Sequence, residues 1–332
     1  MLSVDKELSN CDGIGIGRKG TIDKPQYLSA PFWTVDTLFF MTPFENYDIK
    51  FLFSMTQIVN WKKLDESTGV PSLSKSVIEK LEQNFPSIKE QEIIGLFFKQ
   101  LDNTIALHQR KIELLQQLKK AYLQNLLPTK NKLTPKLRFA NFKDDWKFSA
   151  VSDISKLTFG GGTPSTSVNE YWSGSIPWIQ SSDLKLNELT NVTPTKYITN
   201  DAINKSAAKI IPKNSIAVVT RVGVGKLAII PYSYSTSQDF LSLSELTLDT
   251  VFAAYTLYKL LEKESNIIQG TSIKGMTKSD LLGKKIPIPL ENTEQVRIGK
   301  TLKKLDDIIL VYQSKIERIE YLKQAYLQKM FI

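Results

Sequence analysis

The 332-residue sequence predicts an α+β chain made of two β-rich modules, the first incomplete, and two long helices. Three observations carry this. Glu90–Gln124 recurs as Glu294–Gln328, a step of 204 residues with about half of the aligned positions identical. Both copies carry apolar residues at alternating steps of four and three, the pattern of a coiled-coil seam. The segments ahead of each copy hold short β-branched runs bounded by turn formers.

Composition limits the function classes. With 42% hydrophobic and 23% charged residues, the chain can bury one or two sizeable cores. Forty-three Lys+Arg against 34 Asp+Glu leave a formal charge of +9 and a pI near 9.2, which suits a polyanionic partner. One cysteine, Cys11, and one histidine, His108, exclude an internal disulfide and an ordinary zinc cluster, so no metal or cofactor is expected. No apolar run approaches the roughly 18 residues of a membrane span. Met1–Glu7 lacks the charged-then-apolar order of a signal peptide, so a cytoplasmic protein without membrane contact is expected.

Taken in order, residues 1–89 form the first β-rich module. Fainter matches tie it to the second: Arg18-Lys19-Gly20 with Arg221-Val222-Gly223, Asp36 with Asp239, and Ser74–Ser76 with Thr277–Ser279. Residues 90–128 form the first long helix, with a seam of Leu101, Ile105, His108, Ile112, Leu115, Lys119, Tyr122 and Leu126; Pro128 ends it. A polar connector around Pro128–Lys136 opens the second module, 129–292. There Ile210–Thr220 and Lys226–Pro231 read as strands, and 251–264 has helical spacing, with Phe51–Met55 as its counterpart. Residues 293–332 form the second helix, with the seam Leu305, Ile309, Tyr312, Ile316, Ile319, Lys323, Tyr326 and Met330. Two matching seams most simply pack on each other. Lys119 and Lys323 interrupt them at equivalent places, so their charged heads are expected to emerge near that end.

The inventory for chemistry is thin. Gly15-Ile-Gly17-Arg18-Lys19-Gly20 fits a dinucleotide-loop pattern, but Pro25 blocks the helix that such a loop must open, which favours a hairpin or turn. His108 sits on the helical seam, where packing is its expected role, and Cys11 has no histidine near it in sequence. No paired-carboxylate motif stands out, so no catalytic residue is assigned. Arg18, Lys19 and Lys24 in the first module, and Arg221 and Lys226 in the second, flank glycines or turns. There a backbone can approach a ligand and Arg can fork to guanine or clamp phosphate; an ordinary basic hairpin fits the same residues. The Gly160–Ser165 loop offers Gly162, Thr163 and Ser165, and Ser181 and Ser182 follow Trp178. It lacks the Gly-Lys-Ser/Thr ending of a P-loop. Trp172 and Trp178 suit core anchors. Ser272, Lys274 and Lys278 lie in a hydroxyl- and lysine-rich stretch that suits either a solvated loop or a phosphate-facing one.

Several of these residues together resemble the DNA specificity (S) subunits of type I restriction-modification systems. They are Gly161–Ser165 with Tyr171-Trp172 and Ile176–Ile179; Pro135–Phe139 with Phe142 and Trp146; and the duplicated helix ending Ala-Tyr-Leu-Gln. The resemblance covers nearly the whole chain. It implies two target-recognition domains held apart by an antiparallel pair of long coiled-coil helices, each domain reading one half of a split site in double-stranded DNA. It also implies attached methyltransferase (M) subunits, restriction (R) subunits joined through the complex, and an S subunit that itself catalyses nothing.

One departure stands out. Trp146 precedes Arg221 by 75 residues, whereas only 17 residues precede Arg18, so the repeat leaves the first recognition domain as a C-terminal portion. An N-terminally truncated domain, impaired in reading DNA, is the expectation. A non-DNA-binding scaffold or an inactive recombination-cassette fragment are the alternative readings.

Overall fold

The computed structural model describes residues 6–128, 132–268 and 275–331. It divides into two compact units, Met1–Glu113 with Val311–Ile332 and Leu114–Leu310. The long helices are shared between the units, so the boundary expected in the 128–136 connector does not separate compact bodies.

In the first unit, β1 (Gly13–Gly17), β2 (Gln26–Leu28) and β3 (Leu38–Met41) form an antiparallel sheet of order β2-β1-β3. Alternation sends Ile14 and Ile16 to one face, where they are buried with Ile22, Trp61 and Leu73. The glycines point the other way, and the Phe32 and Leu38 side chains fold over them, with Phe32 edge-on to Phe40. Next come α1 (Ile49–Thr56) and α2 (Lys75–Glu79), then the start of α3 (Ile88–Leu126). Asp48 caps α1 by accepting the Lys50 and Phe51 N–H groups at 3.0 and 2.8 Å.

In the second unit, β4 (Lys147–Ala150), β5 (Ser155–Gly160), β6 (Ile176–Ile179) and β7 (Lys196–Ile198) precede the short α4 (Asn200–Asn204). Then come β8 (Ser215–Val219), β9 (Leu227–Ile230), β10 (Ser235–Thr236) and β11 (Phe240–Leu246). The unit closes with α5 (Thr250–Ile268), α6 (Lys278–Gly283), β12 (Lys285–Ile288) and the start of α7 (Asn292–Met330). The central sheet runs β5-β11-β8-β9 and is antiparallel throughout. Both faces are covered, which is why β8 is buried at every position. Ile216 and Val218 join the α5 core with Trp146 and Phe252, and Ala217 and Val219 join Ile179, Ile211 and Tyr234. Ile211 makes only an isolated bridge with Tyr234, so the run expected from residue 210 pairs as a strand only from Ser215.

The duplication is visible in three dimensions. The order β2-β1-β3 followed by α1 and α2 repeats as β9-β8-β11 followed by α5 and α6. The hydrogen bonds correct the sequence match by one residue. Leu73 N–H donates to Arg18 O at 3.0 Å and Met276 N–H to Thr220 O at 2.8 Å, which makes Thr220 the partner of Arg18 and Arg221 that of Lys19. A one-residue slip moves a side chain to the opposite face of a strand, so the sequence match had put the wrong residues in register. Among the described residues of the first unit, β4 to β7 have no counterparts. Residues 82–87, close in the repeat to β12, form no strand, and β12 itself pairs with β4.

α3 and α7 each span 39 residues, about 58 Å at 1.5 Å per residue. In the first unit their segments run antiparallel: Asp102 meets Lys323 at 2.5 Å, and the His108 and Tyr312 rings lie 5.1 Å apart. In the second unit Lys119 meets Asp306 at 2.5 Å. The Lys119 head does not emerge as expected. It is buried, ion-paired and donating to Asn187 O at 3.0 Å, with the Tyr255 and Tyr258 rings alongside. The seam also drifts at its end, where Tyr326 is exposed and Leu327 is buried with Phe51 and Phe98.

Candidate nucleic-acid interface

The second unit holds a cleft of ≈ 700 Å³ at one end of its central sheet. β8 ends at Val219, and the chain turns back to β9 through Gly223 and Gly225, whose φ values of 91° and 105° lie where side chains are strained. Arg221 projects from this turn, exposed and without a hydrogen-bond or ion-pair partner among the described residues. Its base is fixed from two sides. Thr220 donates its N–H and hydroxyl to Asp239 O at 2.7 and 3.0 Å, and Gly275 packs on Thr220 and Arg221. Lys278, exposed at the start of α6, lines the same cleft. Thr277 caps that helix reciprocally with Asp280, and the Thr277 hydroxyl, followed by its N–H, holds the Asp280 carboxyl below its ordinary pKa. Gly160, Gly161 and Gln238 complete the wall. Two cations and no carboxylate line it among the described residues, which makes it an anion-attracting surface.

The other candidates fall elsewhere. Gly162 is buried: its N–H donates to Thr236 O at 2.9 Å, and a side chain there would strike the Ala207 backbone at 2.3 Å. Its glycine serves close packing, not approach to a ligand. Thr163 and Ser165 are exposed beyond it and do not line the cleft. Lys226 is half-buried, and its ammonium donates to the Ser181 backbone carbonyl at 3.0 Å, which ties the lysine to the turn; half-buried Ser181 does not line the cleft. Ser182 is exposed beside a separate cavity with Asp183 and Lys185. Arg18, Lys19 and Lys24 are exposed in the first unit, Arg18 over the Phe39 ring at 5.7 Å. Ser272 and Lys274 lie outside the described residues.

Sequence reasoning missed Gln238 and the two hydrogen bonds from Thr220. The available signal was the polar Ser235–Asp239 segment between two apolar runs.

The remaining candidates are structural. Gly15–Gly20 is a strand end and a turn, with Gly20 at φ 84° and no helix following. Trp178 is buried and donates to Gly162 O, and Trp172, edge-on to it at 5.0 Å, donates to Ser165 O. His108 packs on Tyr312, its counterpart across the repeat. Cys11 is exposed. Among the described residues no three His, Cys, Asp or Glu gather as a metal site, and no helix is long and apolar enough to cross a membrane.

The described chain alternates β-modules with long helices and carries a cationic cleft in its second unit. Residues 5–117 and 143–321 match the family described as type I restriction modification DNA specificity domain, and the chain belongs to that family. It is similar to the type I restriction enzyme MjaIX specificity subunit of Methanocaldococcus jannaschii, at 30% identity over 57% of this chain and 44% of that protein. It is also similar to the EcoR124I/EcoR124II specificity subunit of Escherichia coli, at 32% identity over 52% of this chain and 43% of that one. The matches thus span less than half the length of these relatives. The crystal structure of a type I restriction-modification S subunit from M. genitalium shares the fold with TM-score 0.68 at 15% identity, over 99% of this chain and 85% of that one.

Proposed function

We propose that this chain is the sequence-reading subunit of a type I restriction-modification complex. In that role it binds double-stranded DNA in the cytoplasm and positions M subunits, and through the complex R subunits, without itself catalysing a reaction. The cleft of the second unit carries the reading: among the described residues Arg221 and Lys278 have no protein partner and no carboxylate lines the cavity, on a fold of this family. Arg suits bidentate contact with guanine, and Lys suits phosphate, whose neutralisation supplies salt-dependent affinity.

Methylation mapping of DNA from cells expressing the methyltransferase with and without this chain tests the proposal. A modified motif that appears only with the chain is expected. A modification pattern indifferent to the chain, although the chain co-purifies with the methyltransferase, would support the scaffold reading instead.

A further inference from the structure

Gln238 belongs to none of the motifs discussed so far. It sits at the turn between β10 and β11, exposed on the cleft that holds Arg221 and Lys278. Its side chain has no hydrogen-bond partner among the described residues, yet its backbone is pinned on both sides. Ser237 donates its N–H to Ile179 O at 2.9 Å. The Ser237 hydroxyl lies 3.2 Å from Asp239 Oδ2, and Asp239 O accepts both donors of Thr220. A solvent-facing polar side chain with no protein partner among the described residues, on so fixed a support, is arranged as a recognition group is, with its backbone position set before the ligand arrives.

We infer that Gln238 reads a base in this cleft and selects adenine. The inference rests on the proposed DNA-reading function and adds a residue and a base to it. A carboxamide presents one acceptor and one donor side by side, which matches the N6 donor and N7 acceptor of adenine in the major groove. Arg221, with donors only, matches guanine instead. Two neighbouring readers of different character on one wall therefore specify two different bases, and Lys278 adds charge without sequence information.

The test is selection from a pool of randomised duplexes by the full chain bound to its methyltransferase, for wild type, Gln238→Ala and Gln238→Glu. Wild type is expected to enrich adenine at one position. Gln238→Ala relaxes that position alone, with discrimination falling on the order of tenfold or more. Gln238→Glu, which can only accept, turns the preference toward cytosine, whose N4 donates. Matching thermal unfolding of the three proteins confirms that the exposed substitutions leave the fold intact. Unchanged motifs in both variants overturn the inference while leaving the DNA-reading function standing, as does relaxation at a position that held no adenine. If the wild type enriches no motif, the proposed function fails and this inference fails with it.

Discussion

Lys119 Nζ lies 2.5 Å from Asp306 Oδ1, with side chains only 8% and 12% exposed. The 204-residue step maps this pair onto Lys323 and Asp102, again at 2.5 Å, but there the aspartate is 35% exposed. Each seam lysine therefore meets the aspartate of the opposite helix, and the two copies differ in how far the charges are removed from water. Breaking a buried pair strands the surviving charge and costs about 3–5 kcal/mol, whereas an exposed pair is worth about 0–1 kcal/mol; Lys323–Asp102, with its lysine 13% exposed, lies between these limits. Lys119→Met should therefore destabilise the second unit by an amount in the buried range, and Lys323→Met should destabilise the first by less. Asp306 also accepts the Tyr255 hydroxyl at 2.5 Å. Adding Asp306→Asn to Lys119→Met removes the stranded charge while keeping that acceptor, so at least half the loss should return. Urea unfolding of the variants measures this; equal losses for the two lysines would contradict it.

A second duplicated relationship joins each long helix to the cap of a shorter one. An added Cβ at Gly95 would lie 2.3 Å from Asp48 Oδ1 and 2.6 Å from Phe51 N, and at Gly299 it would lie 3.0 Å from both Asp249 Oδ1 and Phe252 N. Gly→Ala inside a helix ordinarily gains up to about 1 kcal/mol. Here the new methyl group pushes into a cap, and overpacking of this kind costs about 1–3 kcal/mol. Gly95→Ala should be clearly destabilising and Gly299→Ala milder, in the order of the two distances. Thermal melts check the ranking, and a stabilised Gly95→Ala would refute the close approach.

The second unit should lose stability at alkaline pH. Burial pushes the Tyr258 hydroxyl up to about 12, and burial, followed by the Asp306 charge, raises Tyr255 further. A folded-state pKa above the unfolded value of 10.0 means that the native state holds its proton longer. The stabilisation is complete below pH 10 and is lost as pH rises toward 12. Tyr258→Phe should flatten the fall in stability between pH 10 and 12 relative to wild type, as read from unfolding midpoints across that range. An unchanged slope would show that this hydroxyl is not protected.

The long helices were legible because seam periodicity is local. Leu101, Ile105, Ile309 and Ile316 are all at least half-buried, as the heptads require. The fate of Lys119 was not legible, because Asp306 and Asn187 lie 187 and 68 residues away in sequence and only the fold brings them together. Arg18 was matched to Arg221 on residue identity. Strand pairing instead sets Arg18 against Thr220, since hydrogen bonding fixes register and a conspicuous residue does not. Gly162 reads in sequence as an accessible loop residue, but glycine suits close packing as well as ligand approach, and only contact with Ala207 separates the two. In the candidate interface Arg221 and Lys278 could be named from charge beside turn formers. Gln238 could not be singled out, because the polar Ser235–Asp239 segment marks a turn without saying which of its uncharged side chains faces the cleft.

The most direct test of the account is equilibrium binding of the chain with its methyltransferase to two duplexes, one carrying the motif that the complex modifies and one scrambled, over a range of salt. Arg221→Ala should lose about 1–3 kcal/mol on the motif with little change on the scrambled duplex. Lys278→Ala should weaken binding to both duplexes and lower the salt slope by about one. Wild type and both variants binding the two duplexes alike at every salt concentration would contradict the claim that this cleft reads DNA.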